Sequence, residues 1–325
     1  MVQSRSMLAA ASPDFLAPLA APPPQATAAL QAGVLSQPAH IDPKYLYDTL
    51  GSSLFSAITQ LPEYYPTRCE AEILRDHITD IARHVGNVSA LIDLGAGDCA
   101  KAEKLFPYLR PASYVPIDIS ENYLRSAVQR LEHTYANLKI NPVGQDFHHK
   151  LAVPDTVSLS GRLFFYPGSS IGNLDPDHAQ TLLSNIRRLC PDGGLLIGVD
   201  RVKSRHILEP AYDDALHLTA AFNLNLLRHV NQHLGSNFDV RHWQHVAHYD
   251  EPHTRVQMYL EAQSDIRVQW PGAHRDFRNG ERIHTENSYK YTPDSFHSLL
   301  MRAGFSNIEH WSDALGWFSV FSARA

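Results

Sequence analysis

Ala90-Leu91-Ile92-Asp93-Leu94-Gly95-Ala96-Gly97 is the stretch on which the fold turns. An apolar run of strand length stops at two closely spaced glycines, which reads as a buried strand ending in a tight turn. Glycine accepts backbone dihedrals denied to other residues and lets the main chain approach a ligand. In an open parallel sheet such a turn marks the carboxyl end of a strand, where ligands gather.

Outward from this turn the pattern alternates. Ile73, Leu74, Ile78, Ile81 and Val85 recur at helical spacing and predict a helix over 70–85. Residues 98–109 read as a helix, 113–118 as a strand and 121–134 as a helix. Strand signals follow at 140–143 and 162–166, then a helix at 177–189 and a buried strand at 195–199. The chain closes with a helix over 294–303, Gly304 as its stop, and strands at 306–311 and 317–323. This alternation predicts an α/β fold: a mostly parallel, Rossmann-like sheet covered on both faces, with an antiparallel pair at its end.

Two stretches break the rhythm. Residues 1–40 are rich in Ala and Pro, with Pro22-Pro23-Pro24 in the middle, and predict a loose or partly helical leader. Order is expected from about Ile41. Residues 203–290 hold a long helical segment at 213–234, then aromatic and histidine-rich stretches with strand-like alternation, as at 255–260. The expected division is a core of 68–202 plus 291–325, and a second domain of 203–290 joined by 41–67.

Composition narrows the function. The 325 residues are 44% hydrophobic and 19% charged, enough apolar material for a core. With 28 Lys and Arg against 34 Asp and Glu, the formal charge is -6. That is a poor footprint for nucleic acid, and no polybasic segment offers itself to an anionic membrane. No apolar run approaches the roughly 20 residues that span a bilayer. Pro13, Asp14 and Pro18 interrupt the N-terminal apolar residues, so no signal peptide is read. Cys69, Cys99 and Cys190 are scattered and odd in number, as suits a reducing compartment. The expectation is a cytoplasmic monomer with neither nucleic acid nor membrane as partner.

The glycine turn lacks the third glycine of a dinucleotide fingerprint, because position 100 is Ala. A ligand without phosphates, such as S-adenosyl-L-methionine, fits better. Asp118 ends the second strand, where an acid accepts hydrogen bonds from ribose hydroxyls. Asp146 and Phe147 follow the third strand candidate, an acid for an adenine amino group and a ring for the base. Taken singly, Gly95 and Gly97 make an ordinary turn and Asp118 caps a helix. Acids at the ends of successive strands favour the cofactor reading.

Four further motifs are long and unusual: Leu61-Pro62-Glu63-Tyr64-Tyr65-Pro66-Thr67-Arg68, Gly168-Ser169-Ser170-Ile171-Gly172-Asn173-Leu174, Ala211-Tyr212-Asp213-Asp214 and Thr285-Glu286-Asn287-Ser288. From about Tyr45 onward, the chain resembles the histidine Nα-methyltransferases of ergothioneine biosynthesis. The resemblance implies a class I methyltransferase sheet with a family-specific substrate-binding domain. It implies that Gly95, Lys101, Asp118, Asp146 and Phe147 bind S-adenosyl-L-methionine, and that Tyr64, Asn173, Tyr212, Glu286 and Ser288 bind L-histidine. Tyr47 matches a tyrosine near the substrate amine, and with Asn173 it would aim the nitrogen lone pair. Three successive transfers, giving Nα-trimethylhistidine (hercynine), are likewise implied. Asn287 and Tyr289 depart from the family pattern. If Asn287 enters the pocket, substrate preference changes.

The residue types suit such a substrate. Amide and phenol donors hold a carboxylate, while a carboxylate and a hydroxyl serve the two imidazole nitrogens. Tryptophan, with one ring N–H, would leave Ser288 unpaired. Two other readings stay open: an N-methyltransferase for another amino acid such as tryptophan or a modified histidine, and a cofactor-binding protein without turnover. Plainer roles also exist. Tyr64 packs before a helix, Asn173 caps one, Tyr212 precedes acids at a helix start, Glu286 is an exposed charge, and Lys101 is a solvated helix residue. The 19 histidines include His242, His245 and His248, spaced by three, but no cysteine or carboxylate completes a zinc pattern, so no metal is expected.

Overall fold

In the computed structural model, which describes residues 23–325, the Ala90–Leu94 strand lies inside an eight-stranded sheet. The strand order is Ser306–Ser312, Phe318–Arg324, Gly194–Asp200, Arg162–Tyr166, Ala90–Leu94, Ser113–Asp118 and Lys139–Ile140. Val143–Gly144 also pairs with Ser113–Asp118. Pairing is parallel from Gly194–Asp200 to Lys139–Ile140, and antiparallel where Phe318–Arg324 joins. The central strands are buried along their whole length because helices cover both faces. Phe164, Ile197 and Phe321 are fully buried under Pro176–Leu189 and Pro293–Arg302. Leu91, Phe165 and Leu196 belong to the core that includes Tyr65–Val85.

The predicted helix at 98–109 is two short pieces, Ala100–Glu103 and Phe106–Leu109. Cys99 is left-handed (φ 62°), so the first piece starts only at Ala100, and Pro107 has no N–H to bond the Glu103 carbonyl, so it opens a new piece at its first turn and does not continue the old one. The strand expected at 140–143 is likewise two short bridges.

The leader is partly helical within the described residues, but its order starts earlier than expected. Residues 1–22 lie outside the described residues, but Pro23–Leu35 is helical and buries Leu30 and Val34. Ala39–His40 pairs in parallel with Ile283–His284. Order therefore begins well before Ile41. The Ala-rich composition hid a helix whose apolar side finds a partner only in the tertiary structure.

A second sheet has the order Ala39–His40, Arg282–Tyr289, Arg255–Ala262, Trp243–Asp250. Helix Leu218–Leu234 packs on it and on Thr49–Ile58 and the turn Pro43–Leu46. The helical signal at 213–217 is a cap instead: the Asp214 carboxylate accepts the N–H groups of Leu218 and Thr219. A β-bulge interrupts Arg282–Tyr289 between His284 and Glu286. Two consecutive residues, Thr285 and Glu286, are then buried, and the following alternation is reversed. Glu286 and Ser288 face inward as a result. Asn287 faces away, accepting hydrogen bonds from Gln257 and His284.

Candidate active site

The carboxyl ends of the first two central strands meet at Gly97 and Asp118. Asp118 Oδ2 accepts the Gly97 N–H at 2.9 Å and Oδ1 accepts the Ser120 N–H at 2.7 Å. Burial pushes this carboxyl up, and three backbone N–H groups pull against it. Gly95 and Gly97 have φ of 72° and 54°, and a Cβ at either would meet nothing within 4 Å. The open concavity over a buried acid is a cradle that side chains would fill, and it suits a nucleoside. Asp146 stands beside it, 3.6 Å from Lys44 Nζ. Phe147 is buried with its ring edge-on to Tyr166.

Lys101 is not simply solvated. Its Nζ donates to the buried Glu70 carboxylate at 2.6 Å, and the other Glu70 oxygen accepts the Gly168 N–H at 2.8 Å. Gly168 (φ 77°) and Ser169 (φ 61°) are both left-handed, which turns the chain sharply into the Ser170–Asn173 turn. A Cβ on Gly172 would come within 2.8 Å of the Tyr289 carbonyl, so only glycine lets this turn lie against the bulged strand.

Tyr47, Tyr64, Asn173, Tyr212, Glu286 and Ser288 line one cavity between the two sheets. It encloses about 550 Å³ of empty space, part of it open to solvent. Phe55, Phe222 and Met258 supply apolar wall. The plainer roles of two of them fall away: Asp175, not Asn173, caps the next helix, and Glu286 is 7% exposed. Asn173 Nδ2 instead donates to Glu286 Oε2 at 3.4 Å. Burial pushes the Glu286 carboxyl up to about 8, against the pull of Lys290. Burial also holds the Tyr47, Tyr64 and Tyr212 phenols well above their ordinary value, so all three are O–H groups at neutral pH. Ser120 Oγ donates to the Tyr47 carbonyl at 2.9 Å, joining this wall to the Asp118 turn.

Behind the cavity lies a polar cluster that sequence reasoning missed. Asp200, at the carboxyl end of its strand, accepts from Tyr65 Oη at 2.7 Å, Lys203 Nζ at 2.5 Å and Lys290 Nζ at 2.8 Å. Burial raises its carboxyl, but the two ammonium groups prevail and hold it below its ordinary value. Burial pushes the Lys203 ammonium down to about 8. Two signals pointed here: Asp200 ends a buried strand, and Lys290 shares the strand face of Glu286 and Ser288.

Two of the histidines that invited a metal have other partners. His245 bonds Asn223 and the Tyr212 carbonyl, whereas His248 lies 3.8 Å from Glu209. Among the described residues, no group of three or more His, Cys, Asp or Glu side chains is placed to hold an ion. No described helix is long and apolar enough to cross a membrane.

The parallel sheet, its antiparallel end and the open glycine turn over a buried acid define a class I S-adenosylmethionine-dependent methyltransferase. Residues 26–325 match the family model described as histidine-specific, S-adenosylmethionine-dependent methyltransferase, and the chain belongs to that family. The match reaches further upstream than Tyr45. The histidine N-alpha-methyltransferase of Mycolicibacterium smegmatis is 37% identical over 299 residues, covering 90% of this chain and 92% of that protein. Ergothioneine biosynthesis protein 1 of Neurospora crassa is 30% identical over 82% of this chain, which spans 31% of that longer protein. Among solved structures, a methyltransferase from Clostridium acetobutylicum aligns at TM-score 0.47 and 12% identity, over 84% of this chain and 98% of that one.

Proposed function

We propose that this enzyme methylates the α-amine of L-histidine, in three successive transfers that yield Nα-trimethylhistidine for ergothioneine biosynthesis. The observation that carries the reading is the convergence of Glu286, Asn173, Ser288 and three tyrosines on one cavity. The relatives named for this reaction support it. Residues 41–67 and 203–290 act as the substrate-binding domain, and 68–202 with 291–325 as the core.

S-adenosylmethionine fits the Gly95–Gly97 turn, with Asp118 for the ribose hydroxyls and Asp146 and Phe147 near the base; when bound, it supplies a methyl group on a sulfonium. Lys101 stands at the same end of the sheet, held by Glu70. On the substrate side, Glu286 accepts an imidazole N–H through the carboxyl oxygen that carries no hydrogen. Tyr212 and Ser288 share a 2.7 Å hydrogen bond and meet the substrate as a pair. The Asn173 amide is the donor available to the α-carboxylate. The amine attacks as the neutral form, since an ammonium has no lone pair. The phenols of Tyr47 and Tyr64 stay protonated and orient that amine without taking its proton, which leaves to solvent. Orientation of this kind is worth up to roughly 7–11 kcal/mol. The aromatic wall of Phe55, Phe222 and Tyr64 limits the water around the substrate, so its few polar contacts count for more than they would in bulk water.

The test is mass spectrometry of products from S-adenosylmethionine and a panel of amino acids. Histidine is expected to gain one, two and three methyl groups. A preference for tryptophan, or no product from histidine, overturns the reading.

A further inference from the structure

Lys290 is fully buried, and its ammonium has three hydrogens. Three acceptors surround it: Asp200 Oδ2 at 2.8 Å, Tyr212 Oη at 2.7 Å and Ser288 Oγ at 2.7 Å. Its donors are therefore all in use. Tyr212 Oη and Ser288 Oγ are themselves 2.7 Å apart, so one hydroxyl hydrogen lies between them. The pair owns two hydroxyl hydrogens, which leaves one. A phenol is the better donor and an aliphatic alcohol the better acceptor, so Tyr212 donates to Ser288. Ser288 Oγ then accepts from both Lys290 and Tyr212, which fills its lone pairs and leaves its own hydrogen free for the cavity that Ser288 and Glu286 line.

We propose that Lys290, anchored on Asp200, is a positioning residue that makes the Tyr212–Ser288 pair a single hydrogen-bond donor toward the substrate. On the histidine reading, that donor meets an unprotonated ring nitrogen while Glu286 takes the N–H of the other. The bound ring is the neutral imidazole, and Tyr212 acts through Ser288. A ring that is a donor at both nitrogens meets a donor at Ser288 and is rejected. Asp200 keeps Lys290 in place: its carboxylate is itself fixed by Tyr65 Oη and by Lys203 Nζ, and its backbone N–H donates to Ser169 Oγ at 2.8 Å. The cluster thus reaches from the bulged strand to the Gly168–Asn173 turn.

The test is a double-mutant cycle of Lys290→Met and Ser288→Ala, read as KM for histidine alongside affinity for S-adenosylhomocysteine. Each single change is expected to raise KM about tenfold or more, with cofactor affinity held within about twofold. In the Lys290→Met background, Ser288→Ala is expected to add less than about threefold, because the hydroxyl has already lost its direction. If the two losses multiply, Lys290 is merely structural and the proposal fails while the histidine site stands. If Ser288→Ala and Glu286→Ala both leave KM unchanged, the histidine reading fails with it. A second measurement needs no variant. Nitrogen-15 NMR of ring-labelled histidine, bound to the native enzyme with S-adenosylhomocysteine, is expected to show one unprotonated, hydrogen-bonded ring nitrogen. Two protonated ring nitrogens overturn the proposal.

Discussion

Glu70 and Lys101 form a 2.6 Å ion pair in which the Glu70 side chain is only 2% exposed. The same carboxylate takes the Gly168 N–H, so one acid ties helix Tyr65–Val85 to both the glycine-turn helix and the Gly168–Asn173 turn. Lys101→Met would leave that acid buried without its counter-charge. The expected loss is about 2–4 kcal/mol of unfolding free energy, since Lys101 itself is partly exposed. Adding Glu70→Gln should recover part of it. Urea denaturation of the two variants checks both expectations.

The open space above Gly95 is predicted to be filled by the cofactor. Gly95→Val should lower affinity for S-adenosylhomocysteine by more than about tenfold, a loss of roughly 1.4 kcal/mol. Its positive φ adds about 1–2 kcal/mol of instability. Titration calorimetry separates the two effects, and unchanged affinity in a folded variant would count against the cradle.

Asp118→Asn puts an amide N–H where a carboxylate oxygen now accepts from Gly97 or Ser120. A donor would then face a donor, and the ribose would lose a charged acceptor. Cofactor affinity is expected to fall about tenfold to a hundredfold, with histidine KM changing less. Equal changes in both would place Asp118 outside the cofactor site.

Burial raises Glu286 to about 8 in the folded enzyme, well above the ordinary range of a glutamate carboxyl. The folded state thus holds this proton more tightly than the unfolded chain does. The stability Glu286 contributes is fully present below its unfolded value and is lost as pH climbs through about 8. Glu286→Gln removes that dependence. The variant should melt close to the native enzyme at low pH and increasingly above it as pH climbs to about 8, with the gap level beyond that. Thermal melts across that range check the sign. A gap that narrows as pH rises would show that Glu286 is not a buried acid.

Asn287, the family departure, is held by Gln257 and His284 on the far face of its strand. Asn287→Val is therefore expected to leave histidine KM within about twofold, as for a change that touches no ligand. Steady-state kinetics with histidine decides it; a shift of about tenfold would put the side chain in the pocket after all.

Most of the large sheet was legible because its strands are continuous apolar runs and its helices carry clear apolar stripes. Arg162–Tyr166 and Glu121–Thr134 have the bounds read from sequence. The helix read at 98–109 starts after the left-handed Cys99 and breaks before Phe106-Pro107, and order begins ahead of Ile41 because the nearly uniform composition of Pro23–Leu35 marks no helix bounds. The long motifs pointed to Tyr64, Asn173, Tyr212, Glu286 and Ser288, which do share one cavity. Lys290 and Asp200 carried no motif, and their partners are brought together only by the fold.

The order of strands and helices, and the chemistry held ready at the glycine turn, are properties of the sequence by itself, because hydrophobic periodicity and glycine are local. Which way Glu286 and Ser288 point is not local. Strand alternation has a period of two, and the bulge between His284 and Glu286 reverses it. Pairing with Arg255–Ala262 on one side and contact with the Ser170–Asn173 turn on the other put that extra residue there. Only tertiary structure, by adding one unpaired residue to one strand, turned an acid and a hydroxyl from the outside of a sheet into its cavity.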